Sequence, residues 1–259
     1  MKLNIVPASR GAQWVKLGVQ TFFRQPLALS GLFFIFLAVM SVLNVLPVIG
    51  SVLAFVLMPG VTLGLLAATR EASNGKFPMP TILITAFRTG AQQRRFMLVL
   101  GALYTAGIVI ILCCTPLVDG GNFAKLMLLG QVPSADARQA MDFQFAMLLA
   151  STLNMPLTLL FCHASALVHW HGTPPVKSLF FALAAVAGNF RAFVVYGLVW
   201  MGVFLGFGII MSMLVVAIGG VEAVAAMAYP AALLLATMVF ASIYFTFQDS
   251  FELTPGDDI

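Results

Sequence analysis

The chain has 259 residues, of which 61% are hydrophobic and 8% charged, with a formal net charge of +4. A soluble domain carries about a quarter of its residues charged, so this composition excludes a water-soluble fold and fits a bilayer as solvent. The basic excess forms no arginine and lysine cluster with interleaved aromatics outside the membrane segments, which speaks against nucleic acid and for topology and lipid contact.

The first 25 residues lack an uninterrupted apolar core and a small-residue cleavage site, so they are not expected to be a cleavable signal peptide. Ser9 or Pro7 begins a short helix there. Arg10, Gln13, Lys16, Gln20 and Arg24 share one face of it, and Trp14, Val15, Gly18, Val19 and Phe22 the other. Such a helix is expected to lie in the membrane interface with Trp14 reaching into the acyl region. Apolar spans follow at 26–45 and 47–70, with Pro47 and Gly50 turning the chain between them.

Pro80 and Thr81 open a second short helix. Thr81, Thr85, Arg88, Gln92 and Arg95 form its polar stripe, opposed by Leu83, Ala86, Phe87 and Gly90. Spans at 96–118 and 143–169 flank a long connection over 119–142. In it Asp119-Gly120-Gly121-Asn122 reads as a turn. Ser134 is expected to N-cap a helix that starts at Ala135 and enters the membrane near Phe143. Thr173 and Pro174 open a third short helix over 176–190, apolar nearly all round and therefore expected to be covered by protein. Spans at 192–218 and 223–247, joined by a tight connection at 219–222, bring the count to six, each long enough for the roughly 20 residues that cross a bilayer. Asp249, Glu252, Asp257 and Asp258 form an acidic tail, either solvated or docked onto the protein's own basic helices.

This order repeats three times, over about 7–75, 78–172 and 174–248, ahead of a tail at 249–259. Gly31, Gly101 and Gly197 stand near the start of one span in each unit, and Pro59, Pro156 and Pro230 within the other. The expected fold is an all-α integral membrane protein, a single domain of six transmembrane helices. It is built from three repeats of a short interfacial amphipathic helix and a transmembrane hairpin. The prolines either open a central cavity or are a packing feature. With six spans, Lys2, Arg10, Lys16, Arg24, Arg70, Lys76, Arg88, Arg94, Arg95, Lys177 and Arg191 share one side, against Lys125 and Arg138 on the other. That asymmetry places both termini in the cytoplasm.

His163, His169 and His171 cluster beside Cys162, but no carboxylate is near in sequence, and helical neighbours two apart diverge. An interfacial His169-Trp170-His171 belt is the expectation, with Cys113, Cys114 and Cys162 as small buried fillers and no metal or cofactor. Catalytic motifs are absent, so an enzyme is not expected. No ionisable group lies clearly at mid-membrane, which argues against ion-coupled transport. Asn44 and Asn154 are expected to make local hydrogen bonds between helices.

The leading expectation is a non-enzymatic lipid- or partner-binding accessory protein. Anionic membrane lipids would meet Arg24, Arg88, Arg94, Arg95 and Arg191 at one membrane level, and a membrane or periplasmic protein partner is open. The alternative is a transporter or channel for an apolar or zwitterionic small molecule, with Asn154, Thr158 and His163 lining its cavity.

The opening Met1-Lys2-Leu3-Asn4-Ile5-Val6-Pro7-Ala8, then Trp14-Val15-Lys16-Leu17-Gly18 and Phe22-Phe23-Arg24-Gln25-Pro26-Leu27-Ala28-Leu29, resemble a family of uncharacterised multi-spanning inner-membrane proteins typical of betaproteobacteria. The resemblance implies location and fold, and transfers no activity to any residue. The arrangement is also similar to the membrane domain attached to some glycerophosphodiester phosphodiesterases, whose catalytic domain has no counterpart in this sequence.

Overall fold

The computed structural model describes residues 3–218 and 220–251; Lys2, Gly219, Glu252, Asp257 and Asp258 lie outside the described residues. In hydrocarbon each backbone N–H and C=O must be paired within the protein, and a helix does this inside one segment. Among the described residues six helical stretches are long and apolar enough to cross a membrane: Pro26–Leu43, Ile49–Ser73, Ala91–Asp119, Met141–His171, Phe190–Ala217 and Val224–Ser250. In chain order the helices are α1 (Arg10–Arg24), α2 (Pro26–Leu43), α3 (Ile49–Ser73), α4 (Thr85–Arg88), α5 (Ala91–Cys114), α6 (Pro116–Asp119) and α7 (Asn122–Leu129). Then come α8 (Ala135–Gln139), α9 (Met141–His171), α10 (Pro175–Gly188), α11 (Phe190–Ile218) and α12 (Val221–Ser250). A 3₁₀ turn, Pro80–Ile84, precedes α4.

The chain forms two compact units: Met1–Phe33 with Leu65–Ile82 and Leu183–Ile259, and Phe34–Gly64 with Leu83–Ala182. In the first, α1 lies against α11 and α12. Its inner face, Gly11, Trp14, Val15, Gly18, Thr21 and Phe22, is buried. The approach is close enough that a Cβ on Gly11 would strike the Ala192 carbonyl oxygen, and one on Gly18 would meet the Ser242 backbone. Ser242 is itself a junction. Its hydroxyl donates to Val239 O at 2.6 Å and accepts from Trp200 Nε1 at 3.2 Å, with Tyr196 OH at 2.7 Å. The N-terminal segment is strapped across the same unit. Val6 N donates to Asn189 Oδ1 at 2.8 Å, Asn189 Nδ2 donates to Asn4 O at 3.0 Å, and Leu3 bridges antiparallel to Phe251.

In the second unit α5 packs along α9, and α6 and α7 also rest on α9. A Cβ on Gly101 of α5 would strike the Val56 carbonyl oxygen of α3. Asn44 closes the α2–α3 turn, accepting from Ser51 Oγ at 3.0 Å while its Nδ2 donates to Met40 O at 2.7 Å. Asp119 organises the long connection by accepting from Gly121 N at 2.8 Å and Phe123 N at 2.6 Å. Gly120 and Gly121 supply the left-handed backbone that this tight turn needs, at φ 65° and 91°.

Several expectations are corrected. Trp14 does not reach into lipid: it is fully buried in protein against Phe193 and Tyr196. The second short helix is broken, because Thr89 (ψ 172°) and Gly90 (ψ 162°) are extended. Arg88 therefore ends α4, while Gln92 and Arg95 belong to α5. Ser134 does cap, accepting from Ala137 N at 3.3 Å, but the helix it starts stops at the extended Ala140 before α9 begins. The third short helix is covered on one face only. Ser178, Ala182, Ala185 and Asn189 are buried, whereas Val176, Phe180, Leu183 and Phe190 are exposed, as suits contact with acyl chains. Cys113 is exposed, unlike the buried Cys162. Gly31 faces open space, so it does not share the close packing of Gly101.

The close approach of α1 gives a test. Gly18→Ala has only backbone and Cβ of Ser242 to push against, so it should cost about 1–3 kcal/mol. Gly31→Ala meets no atoms and relieves a helical glycine, so it should be neutral or stabilising by about 0.5–1 kcal/mol. Thermal denaturation of the two variants in detergent reads the difference.

Candidate functional site

At the end of α1, its last two turns, the end of α3 and the end of α12 enclose a cavity of about 230 Å³. Gln20, Thr21 and Arg24 come from α1, Ser73 from the end of α3 with Asn74 just beyond it, and Gln248 from α12. Arg24 is there because α1 keeps its polar face outward. Its Nη1 donates to Ser73 O at 3.1 Å, which holds the guanidinium over the α3 terminus. Ser73 and Asn74 are there because α3 stops: Asn74 N returns to Arg70 O, and Gly75 turns the chain at φ 76°.

A carboxylate lies on the same unit but is already committed. Asp249 accepts from Arg10 Nε at 2.6 Å and Nη2 at 3.0 Å, and from Trp14 Nε1 at 2.6 Å. The hydrogen bond to Asp249 raises the Arg10 pKa against the opposing pull of desolvation, so this guanidinium stays charged. Asp249, expected in an acidic tail, instead lies in the last turn of α12, and there it docks onto the first helix.

The other sequence-selected arginines lie at or near helix ends. Arg88 ends α4, Arg94 and Arg95 are the fourth and fifth residues of α5, and Arg191 is the second residue of α11; all are exposed. The Arg10–Asp249 ion pair uses none of them. Gly90 caps α5 without a side-chain hydrogen bond, and no acidic residue occupies its first turn. A helix N-terminus beside two cations is an arrangement that attracts anions.

The second unit contains an apolar cavity of about 210 Å³. Asn154 lies on its wall; Thr158 and His163 do not, although Thr158 faces the Tyr104 phenol. His163 is fully buried, and its Nδ1 lies 2.8 Å from Leu159 O on its own helix. Among the described residues no three His, Cys, Asp or Glu side chains converge as metal ligands would. Sequence reasoning missed Gln20, Asn74 and Gln248. Their signal was weak, since polar residues at helix ends near an interface usually denote only solvation.

A probable inner membrane protein of Burkholderia thailandensis is 36% identical over 260 residues, covering 99% of this chain and 96% of that protein. The chain belongs to that family of inner-membrane proteins. No protein-family model matches it, and no solved structure does. Membership and the six spanning helices together make it a multi-pass protein of the inner membrane.

The Asp249 junction is testable. Asp249→Ala leaves the buried Trp14 N–H and the Arg10 guanidinium without their acceptor, at a cost of about 1–3 kcal/mol. A thermal midpoint unchanged from the parent protein would show that the junction contributes nothing. Adding Arg10→Ala should cost little more, because its partner is already gone.

Proposed function

We propose that this inner-membrane protein is non-enzymatic, has both termini in the cytoplasm, and binds the headgroup of an anionic lipid at its basic membrane face. The observation that carries the reading is the polar cavity beside Arg24. Hydrogen-bonding side chains surround one cation there, and the carboxylate of the unit is held by Arg10 and Trp14 instead. Arg88, Arg94, Arg95 and Arg191 add exposed positive charge, and the α5 N-terminus adds N–H donors. Each basic residue near an anionic surface contributes about 1 kcal/mol. Membrane or periplasmic protein partners are compatible with this role. The alternative, a conduit for an apolar or zwitterionic molecule, draws its support from the cavity at Asn154, whose walls carry no charged side chain.

Purified protein should retain anionic lipid through native mass spectrometry. Arg24→Gln should weaken that retention about fivefold, and replacing Arg94, Arg95 and Arg191 together should weaken it further. Full retention by a protein carrying all four replacements would sink the headgroup reading.

A further inference from the structure

The cavity beside Arg24 differs from a merely basic surface in what surrounds its one cation. The bond to Ser73 O holds the guanidinium in place and uses one of its five N–H groups. The others can pair two oxygens of one phosphate, and one cation balances one negative charge. A phosphomonoester carries about −1.5 to −2 at neutral pH and needs a second cation, which the cavity wall does not supply. A phosphodiester carries a single charge. The cavity volume of about 230 Å³ also sets a size. Since about 150 Å³ takes the six heavy atoms of benzene, this cavity takes about nine, a phosphate and a small substituent.

The rest of the wall meets that substituent. Ser73 Oγ is turned back onto Arg70 O at 2.8 Å. The amides of Gln20, Asn74 and Gln248, with Thr21, are the other polar side chains around Arg24. Gln20, Asn74 and Gln248 are exposed residues, as Arg24 is, so an incoming group can reach them. An amide both donates and accepts, and so does a hydroxyl. An ammonium only donates and wants a counter-charge, yet among the described residues no acidic side chain lines the cavity.

The adjoining chain favours a lipid over a free phosphodiester. Phe23 and Leu27 flank Arg24 in sequence, and Phe77 and Met79 stand just after Asn74; all four are exposed. Large apolar side chains exposed next to a polar cavity suit the acyl chains of a bound headgroup.

We infer that the Arg24 cavity binds a singly charged phosphodiester headgroup whose free arm is uncharged and carries hydroxyl groups, in preference to a phosphomonoester or an amine-bearing headgroup. This rests on the headgroup reading and narrows it.

The test offers the full chain in micelles an equimolar mixture of phosphatidylglycerol, phosphatidic acid and phosphatidylethanolamine with identical acyl chains, read by native mass spectrometry. Phosphatidylglycerol should be retained about fivefold over phosphatidic acid and about tenfold over phosphatidylethanolamine. Gln20→Met with Gln248→Met keeps the charge and the side-chain length, and should bring phosphatidylglycerol down to the level of phosphatidic acid. Gln20→Lys adds a second cation and should turn the preference toward phosphatidic acid. Both positions are exposed, so thermal midpoints should match the parent protein. Equal retention of the two anionic lipids by the parent protein overturns the inference and leaves the headgroup reading standing, whereas retention of neither overturns both. A preference that survives the double methionine replacement also overturns it. The deacylated headgroup of phosphatidylglycerol should bind far more weakly than the lipid; equal affinity would make a free phosphodiester the ligand and overturn the assignment to a lipid.

Discussion

Inside a bilayer the polar groups of a chain have only one another to bond, and an orphaned one costs several kcal/mol on the order of a full desolvation penalty. This chain meets the constraint mostly within single helices. Thr69 returns to Leu65 O, Thr105 to Gly101 O, Ser212 to Gly208 O and Thr237 to Leu233 O, while the His163 ring sits against Leu159 O. A hydroxyl bonded to its own preceding turn presents a nearly apolar surface to whatever lies outside. Helices such as α11 can then expose Leu205, Ile209 and Met213 together, a face that water would reject and acyl chains accept.

The first helix is where this solution fails and another takes over. It is too polar to cross a membrane, yet its inner face carries Trp14, whose N–H cannot be satisfied within a helix. Asp249 supplies the missing acceptor from α12, and Arg10 neutralises the carboxylate so that both can sit against protein. Gly11 and Gly18 stand seven residues apart on the same face, and their lack of a Cβ lets α1 approach the backbones of α11 and α12. Sterics and polar satisfaction select the same docking. The short N-terminal segment is held by the Asn189 side chain and by the Ser250 carbonyl, both in the same unit as α1.

Much of this was legible in the sequence, and the boundary of legibility is physical. The six spans follow from apolar length, and the polar face of α1 from helical periodicity. Periodicity names a face, however, and not what covers it: it sends Trp14 to lipid, whereas protein buries it. The same ambiguity misplaced α10, because Phe180 and Leu183 look alike to a protein core and to acyl chains. The extended residues Thr89 and Ala140 break helices without a proline, and Gly90 fitted the apolar stripe too well to suggest a break. At the candidate site Arg24 was visible as a charge at a membrane level. Gln248 and Asn74 reach it only through the endings of two other helices.

The two candidate sites answer the same constraint with opposite chemistry. Around Arg24 the guanidinium is a surplus donor, with the neighbouring carboxylate withdrawn to another pair, so the free capacity there suits an anion. At Asn154 an amide oxygen is buried and left without a partner, in a unit whose apolar cavity has no charged side chain on its wall. Pro156 lies two residues further along α9, which makes this the stretch of the helix already short of one backbone donor. A helix selected only for packing would place an apolar side chain at such a point. A buried amide oxygen that the fold leaves unpaired costs stability where it stands.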